Sequence, residues 1–132
     1  MSSEGLTLWE AQEIARKARE KATELGVLVS VAVVDSSGIV QLVERMDGAG
    51  ILSADIARAK AYTVIAFRGR PTQALTDLFK DNPQTFVGVS AITPVVAGGG
   101  GMPIMKSGKL VGAVGVSGAK MQEDQACAET AS

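Results

Sequence analysis

The chain of 132 residues contains no histidine, and this absence excludes several kinds of site. A Ser–His–Asp triad, a His–Cys pair and a zinc site of the HExxH type all require histidine. The commonest protein ligand of haem iron is missing as well. Any acid–base chemistry therefore has to come from carboxylates, lysine, tyrosine, cysteine or the backbone.

Cysteine, excess charge and long apolar runs are also lacking. The single cysteine, Cys127, cannot form a disulfide within the chain, and the acidic residues near it indicate an unreactive thiol. A net charge of −1 gives no electrostatic footprint for nucleic acid or an anionic membrane. The apolar runs are too short to span a bilayer, and residues 1–9 lack the apolar run of a signal peptide. We therefore expect a cytoplasmic protein with neither a nucleic-acid nor a membrane partner.

What the chain does contain is aliphatic residues and glycine. Hydrophobic residues make up 46% of the sequence and aromatic residues 4%, so the core has to be built from Val, Ile, Leu and Ala. There are 15 glycines, whereas an average chain of this length has about 9. The length is that of one domain, and we expect residues 1–132 to form it.

Local patterns predict helices and strands in alternation. Thr7 and Glu10 have the spacing of a capping box, and the helix that they begin ends at Gly26. Residues 27–35 and 39–46 read as the two strands of a hairpin. The remaining predicted segments are helices at 53–67, 73–80 and 122–131, strands near 95–97, 104–106 and 110–116, and an ambiguous stretch at 84–93. This order predicts an α+β layered fold, with an antiparallel sheet of about five strands and helices packed on it.

Charged residues cluster where the first hairpin ends. Glu44, Arg45 and Asp47 lie at the end of its second strand, beside a glycine-rich turn. Asp35 ends its first strand. Such residues either face a pocket or form a solvated strand end.

A second polar group lies on the helix predicted at 53–67. Asp55 and Arg58 are three residues apart and share a face, which Tyr62 extends four residues further on. This face either lines a cleft or carries an exposed ion pair of little energetic value.

The run Gly98–Gly101 is the most unusual local feature of the sequence. Glycines let the backbone approach a ligand closely, so Gly99, Gly100 and Gly101 are candidates for donating N–H groups to an anion. The run matches neither a P-loop nor a dinucleotide-binding motif. The alternative is a flexible connection between two strands.

Five segments resemble a known family. They are VSVAVVD at 29–35, ERMDGA at 44–49, ARAKAYT at 57–63, GRPT at 69–72 and VGAVGVSG at 111–118. In this order they are similar to the GlcG/HbpS-like family, also called the haem-degrading or PduO C-terminal-domain-like family. The resemblance implies a profilin-like fold and homo-oligomers that range from dimers to octamers.

The resemblance also implies haem as a ligand, since some members of the family bind it. Haem-binding relatives use a histidine ligand, which this chain lacks. The side chains that could bind iron instead are Tyr62, Met46, Met102, Met105, Lys60 and Cys127. The residues themselves predict no metal site and no cofactor.

Three functions therefore stay open. The first is a small-molecule-binding protein, or an enzyme that needs neither histidine nor metal, acting on a small organic acid in a catabolic pathway, with its pocket at an oligomer interface. Arg45 or Arg58 would bind the carboxylate and act as the electrophile. Proton transfer, tautomerisation, hydration or hydrolytic deamination would use Asp35, Glu44 or Asp55 as the base and Tyr62 as the proton donor. The second function is haem binding or haem handling, and the third is a non-catalytic accessory subunit.

Overall fold

The computed structural model describes residues 5–132. In chain order, the helices and strands of this part are α1 (Leu8–Leu25), β1 (Ser30–Asp35), β2 (Val40–Arg45), α2 (Ser53–Ala66), α3 (Thr72–Asp81), α4 (Pro83–Ser90), β3 (Gly101–Lys106), β4 (Lys109–Ser117) and α5 (Met121–Ala131). The ambiguous stretch at 84–93 is mostly helical, because Pro83 occupies the first position of α4, where its missing N–H costs nothing.

Helix α1 begins and ends where the sequence predicts. The Thr7 hydroxyl accepts a hydrogen bond from the Glu10 N–H at 3.0 Å, and the Glu10 carboxylate accepts one from the Thr7 N–H at 2.9 Å. Gly26 ends the helix with φ of 73°. The buried residues of the helix are all alanines, and these small side chains let α1 pack closely against the sheet and α5. They are Ala11, Ala15, Ala18 and Ala22.

The sheet formed by residues 5–132 is antiparallel and has four strands in the order β2-β1-β4-β3. This confirms the predicted α+β layered fold, with four strands in place of about five. The strand expected near 95–97 does not form, because the segment runs beside α2. There the Val96 N–H donates to the Thr63 hydroxyl at 3.0 Å, so this backbone group bonds to a helix and not to a sheet edge.

Helices cover both sides of the sheet. Val31 and Val33 of β1 belong to a core cluster that includes the alanines of α1 and Ala128 of α5. The next residue, Val34, belongs to a second cluster, with Ala61 of α2. Because successive strand residues point to opposite faces, one strand supplies both cores. We call the two sides the α1 face and the α2 face.

Helix α2 lies unusually close to β4. A Cβ atom added at Gly115 would collide with the Ala57 carbonyl oxygen. The absence of a side chain at Gly115 therefore allows the backbones of β4 and α2 to approach each other closely, as is typical of a glycine inside a strand.

Candidate functional site

A groove lies on the α2 face, between α2, the turn before β2 and the chain just after α4. It has a volume of about 490 Å³, within the usual range for small-molecule sites. We call it the α2–β2 groove, and its lining residues are Gly38, Val40, Asp55, Arg58, Ala59, Tyr62, Thr93 and Pro94. It brings together three residues that the sequence predicts to share a helical face, namely Asp55, Arg58 and Tyr62.

Asp55 and Arg58 do not form the ion pair that their spacing allows. Within residues 5–132 neither side chain takes part in any ion pair. Both are exposed. Arg58 therefore presents a guanidinium with no carboxylate partner in the described part of the chain, at the wall of the α2–β2 groove.

Tyr62 is held on two sides. Its phenol oxygen accepts a hydrogen bond from the Thr93 hydroxyl at 2.7 Å. Its ring lies against the hairpin turn, where a Cβ atom at Gly38 would be 3.2 Å from Tyr62 Cδ1. Gly38 also has φ of 78°, which favours glycine, so the turn can pass directly beside the ring.

Asp35 and Asp47 lie outside this groove. The Asp35 carboxylate accepts hydrogen bonds from the N–H groups of Ser37, at 2.8 Å, and Ile39, at 3.1 Å. It thereby stabilises the turn between β1 and β2. Asp47 is exposed in the turn that follows β2 and is not among the residues that line the groove.

Glu44 and Arg45 point to opposite faces of the sheet, because they are consecutive residues of β2. Glu44 pairs in register with Val31 on the α1 face, and its carboxylate accepts a hydrogen bond from Arg19 Nε at 2.6 Å. Arg45 lies on the α2 face, where its guanidinium donates to the Ala49 carbonyl at 3.1 Å. The structure does not bring either residue together with Asp55, Arg58 and Tyr62.

The glycine run is packed inside the molecule. The Gly100 N–H donates to the Gln125 side-chain oxygen at 2.9 Å, and the Gly101 N–H donates to the Thr72 hydroxyl at 2.8 Å. Gly99 is buried too, and a Cβ atom there would be 3.0 Å from the backbone of α5. Two of the three expected anion donors are thus occupied within the chain, and the run lies outside the α2–β2 groove.

A buried ion pair lies beneath this run. Lys60 Nζ donates to the Asp124 carboxylate at 3.1 Å and to the Val116 carbonyl at 2.9 Å. The two side chains are only 2% and 4% exposed. Burial raises the pKa of Asp124 and lowers the pKa of Lys60, each against the effect of its partner. The Ala119 N–H, at 3.0 Å, satisfies the other carboxylate oxygen.

Sequence reasoning placed Lys60 among candidate iron ligands and missed this pair. A signal was present, since Lys60 falls on the stripe of α2 that also carries Ala57 and Val64, both buried. A lysine on such a stripe requires a buried partner. Nothing in the sequence identified Asp124 as that partner, because the two residues are far apart in the chain.

The structure narrows the set of candidate iron ligands. Lys60 is occupied by its ion pair, and Cys127 is fully buried, which together with the nearby Asp124 raises the pKa of its thiol to about 11. Met46 and Met102 are partly buried and pack against the core of the α1 face. Of the candidates, only Tyr62 is among the residues that line the α2–β2 groove.

A second groove lies between α1, β3 and the end of α5, on the α1 face. Its volume is about 360 Å³, and it contains the remaining candidate ligand, Met105. We call it the Trp9 groove, because Trp9 is 69% exposed at its edge. Lys106 Nζ pairs with the Glu10 carboxylate at 2.9 Å at its rim.

Within residues 5–132 no three Cys, Asp or Glu side chains come together in a way that could hold a metal ion. None of the described helices has the length and apolar character needed to cross a membrane.

Comparisons with known proteins agree with the resemblance seen in the sequence. An uncharacterized 15.0 kDa protein from the dhaT-dhaS intergenic region of Citrobacter freundii is 38% identical over 96% of this chain and 89% of its own length. The crystal structure of the Klebsiella pneumoniae protein ORFY matches with a TM-score of 0.89 and 33% identity, over 99% of this chain and 90% of that one.

A haem complex is among the similar structures. The crystal structure of a PduOC–haem complex matches with a TM-score of 0.87 and 30% identity, over 96% of this chain and 92% of that one. The family model described as "Haem degrading protein HbpS-like" matches residues 6–132. The chain therefore belongs to the HbpS-like family of haem-degrading proteins.

Proposed function

We propose that this protein binds haem in the α2–β2 groove, with the Tyr62 oxygen as the iron ligand and Arg58 as the partner of a haem propionate. The observation that carries the proposal is that Tyr62 is the one candidate iron ligand lining this groove. Support also comes from the family, whose description names haem, and from the haem complex of a similar structure.

The groove has the chemical character that haem requires. Val40, Ala59 and Pro94 offer apolar surface to a macrocycle. The Arg58 guanidinium has no carboxylate partner among the described residues, so it can bind a propionate through charge-assisted hydrogen bonds. A tyrosine oxygen is an established protein ligand of haem iron, and it replaces the missing histidine.

The residues of the chain bind and orient the group, while haem supplies the redox chemistry of its iron when it is bound. Tyr62 would hold the iron at one wall of the groove, and Arg58, one helical turn earlier, would bind a propionate.

A haemin titration followed by visible absorption tests the proposal. Wild type is expected to show a saturable change with one haem per chain. Arg58→Gln should raise Kd by about tenfold or more, since a hydrogen bond to a charged group contributes ~1.5–3 kcal/mol. The matched control is Arg70→Gln, because Arg70 is exposed and lies outside the groove. An unsaturable change in wild type, or equal effects of the two substitutions, would overturn the proposal.

A small organic acid is the second candidate ligand, and the unpaired Arg58 favours it. Its carboxylate would use the same guanidinium that we assign to a propionate. Thermal unfolding in the presence of small mono- and dicarboxylic acids tests this candidate. A rise in Tm that disappears in Arg58→Gln supports it, and no rise with any acid contradicts it. If neither haem nor an acid binds, an accessory subunit is the function that is left.

A homo-oligomer is the assembly that we propose. Large apolar side chains on and beside the α2 face are exposed, notably Val43 at 40%, Leu52 at 65% and Ile51 at 96%. Exposed apolar groups in one region are typical of interfaces between subunits. Native mass spectrometry is expected to show a dimer or a larger symmetric species, and a monomer at all concentrations would contradict the proposal.

A further inference from the structure

Tyr62 is the only tyrosine of the chain, and among residues 5–132 its oxygen has one hydrogen-bond donor. That donor is the Thr93 hydroxyl, at 2.7 Å. Both side chains are half-buried and both line the α2–β2 groove. The bond joins two segments that are 31 residues apart in the chain.

The chain around Thr93 is attached to α2 at a second point. The Val96 N–H donates to the Thr63 hydroxyl at 3.0 Å, one residue along α2 from Tyr62. Val95, between the two attachments, is buried at 3% exposure. Thr93 is therefore fixed from its carboxyl-terminal side, while α4 on its other side contains no buried residue.

We propose that Thr93 is a positioning residue for Tyr62 as the iron ligand. This inference rests on the proposed function. The Thr93 hydroxyl holds the phenol oxygen at the groove wall and supplies a hydrogen bond that persists when the oxygen carries negative charge.

The chemistry follows from the lone pairs of the phenol oxygen. One lone pair accepts the proton of Thr93, and the oxygen can use the other for a ligand or a metal. Binding to iron would release the phenol proton to solvent, and a hydroxyl that donates to the resulting anion forms a stronger bond than one that donates to a neutral oxygen. Thr93 therefore stabilises the bound form more than the free form, without itself touching the iron.

Two substitutions at Thr93 separate the hydroxyl from the shape of the side chain. Thr93→Val keeps the branched shape and removes the donor, whereas Thr93→Ser keeps the donor. In haemin titrations we expect Thr93→Val to raise Kd by about tenfold and Thr93→Ser to stay within about threefold of wild type. The visible band that arises from phenolate–iron charge transfer should shift in Thr93→Val, persist in Thr93→Ser and vanish in Tyr62→Phe.

A double-mutant cycle shows whether Thr93 acts through Tyr62. In a Tyr62→Phe background, Thr93→Val should cause no further loss of affinity, because the oxygen that it serves is gone. An equal loss in both backgrounds would overturn the proposal, since Thr93 would then contact haem independently. A Thr93→Val variant with the haemin affinity and the visible spectrum of wild type would also overturn the proposal.

The same titrations distinguish failure of this inference from failure of the proposed function. If wild type shows no saturable binding of haemin, the proposed function is wrong, and the role of Thr93 is overturned with it. If wild type binds haemin with a charge-transfer band, and the Tyr62→Phe variant lacks that band, the proposed function stands. In that case only the response of the Thr93 variants decides the inference.

Discussion

Lys60 and Asp124 form the most completely buried charged contact among residues 5–132. Removing two charges from water costs several kcal/mol per ion, and the interaction balances this cost only when the remaining hydrogen-bonding groups are satisfied. Here Lys60 also donates a hydrogen bond to the Val116 carbonyl, and Asp124 also accepts one from the Ala119 N–H. The pair therefore links α2, β4 and α5 at one point, and its loss should affect all three.

Replacing one partner tests this role. In Lys60→Met the Asp124 carboxylate stays buried without its cation, so we expect the free energy of unfolding to fall by about 3–5 kcal/mol. The control is Lys80→Met, at an exposed position of α3, which should change stability by less than about 0.5 kcal/mol. Urea denaturation measures both. A loss of under ~1 kcal/mol in Lys60→Met would show that the pair is not charged in the native protein.

The Cys127 thiol makes stability depend on pH in the alkaline range. Burial, and then the charge of Asp124, raise its pKa from the ordinary 9.0 to about 11. The unfolded chain loses this proton first, so stability that is present below pH 9 is lost as the pH rises through about 11. Urea denaturation across this range should show a steeper decline in wild type than in Cys127→Ala. Equal slopes would contradict the raised pKa.

At the scale of elements, short sequence patterns correctly predicted the helix ends and turns that depend on contacts between residues close in the chain. The capping box of Thr7 and Glu10, the C-terminal Gly26 and the hairpin turn all involve residues that are close in sequence. The fifth strand near 95–97 was predicted wrongly, because a β-branched run does not reveal that Thr63 binds its backbone. That contact is 33 residues away in the chain.

In the candidate site, too, the sequence predicts the features set by local spacing and misses those set by tertiary contacts. Asp55, Arg58 and Tyr62 share one side of a helix, and helical spacing predicts such a face directly. Glu44 and Arg45 were grouped because they are adjacent, but adjacency in a strand separates side chains. The contribution of Thr93 to the groove depends on tertiary structure alone, so sequence patterns could not reveal it.

The contact of α2 with β4 depends on the absence of a side chain at Gly115. We expect Gly115→Ala to lower stability by at least about 2–3 kcal/mol, since the added Cβ atom would meet the Ala57 carbonyl and force the helix away. Gly88→Ala is the matched control, because Gly88 lies in α4 with open space around it. It should be neutral or stabilising by ~0.5–1 kcal/mol. Thermal unfolding of both variants checks the prediction, which a stable Gly115→Ala variant would refute.

At the scale of the whole molecule, the order of the strands positions the groove. Strand β2 is at an edge of the sheet, so α2 and the edge strand leave a cleft between them. The Trp9 groove lies on the opposite face, beside the other edge strand, β3. The proposed placement of haem in the α2–β2 groove depends on Tyr62 and Arg58, which do not line the Trp9 groove.

A crystal structure of the protein with haemin tests the central claim most directly. We expect density for haem in the α2–β2 groove, with the iron bound by the Tyr62 oxygen and a propionate bound by Arg58. Haem found in the Trp9 groove on Met105, or iron bound by any residue other than Tyr62, would contradict the account.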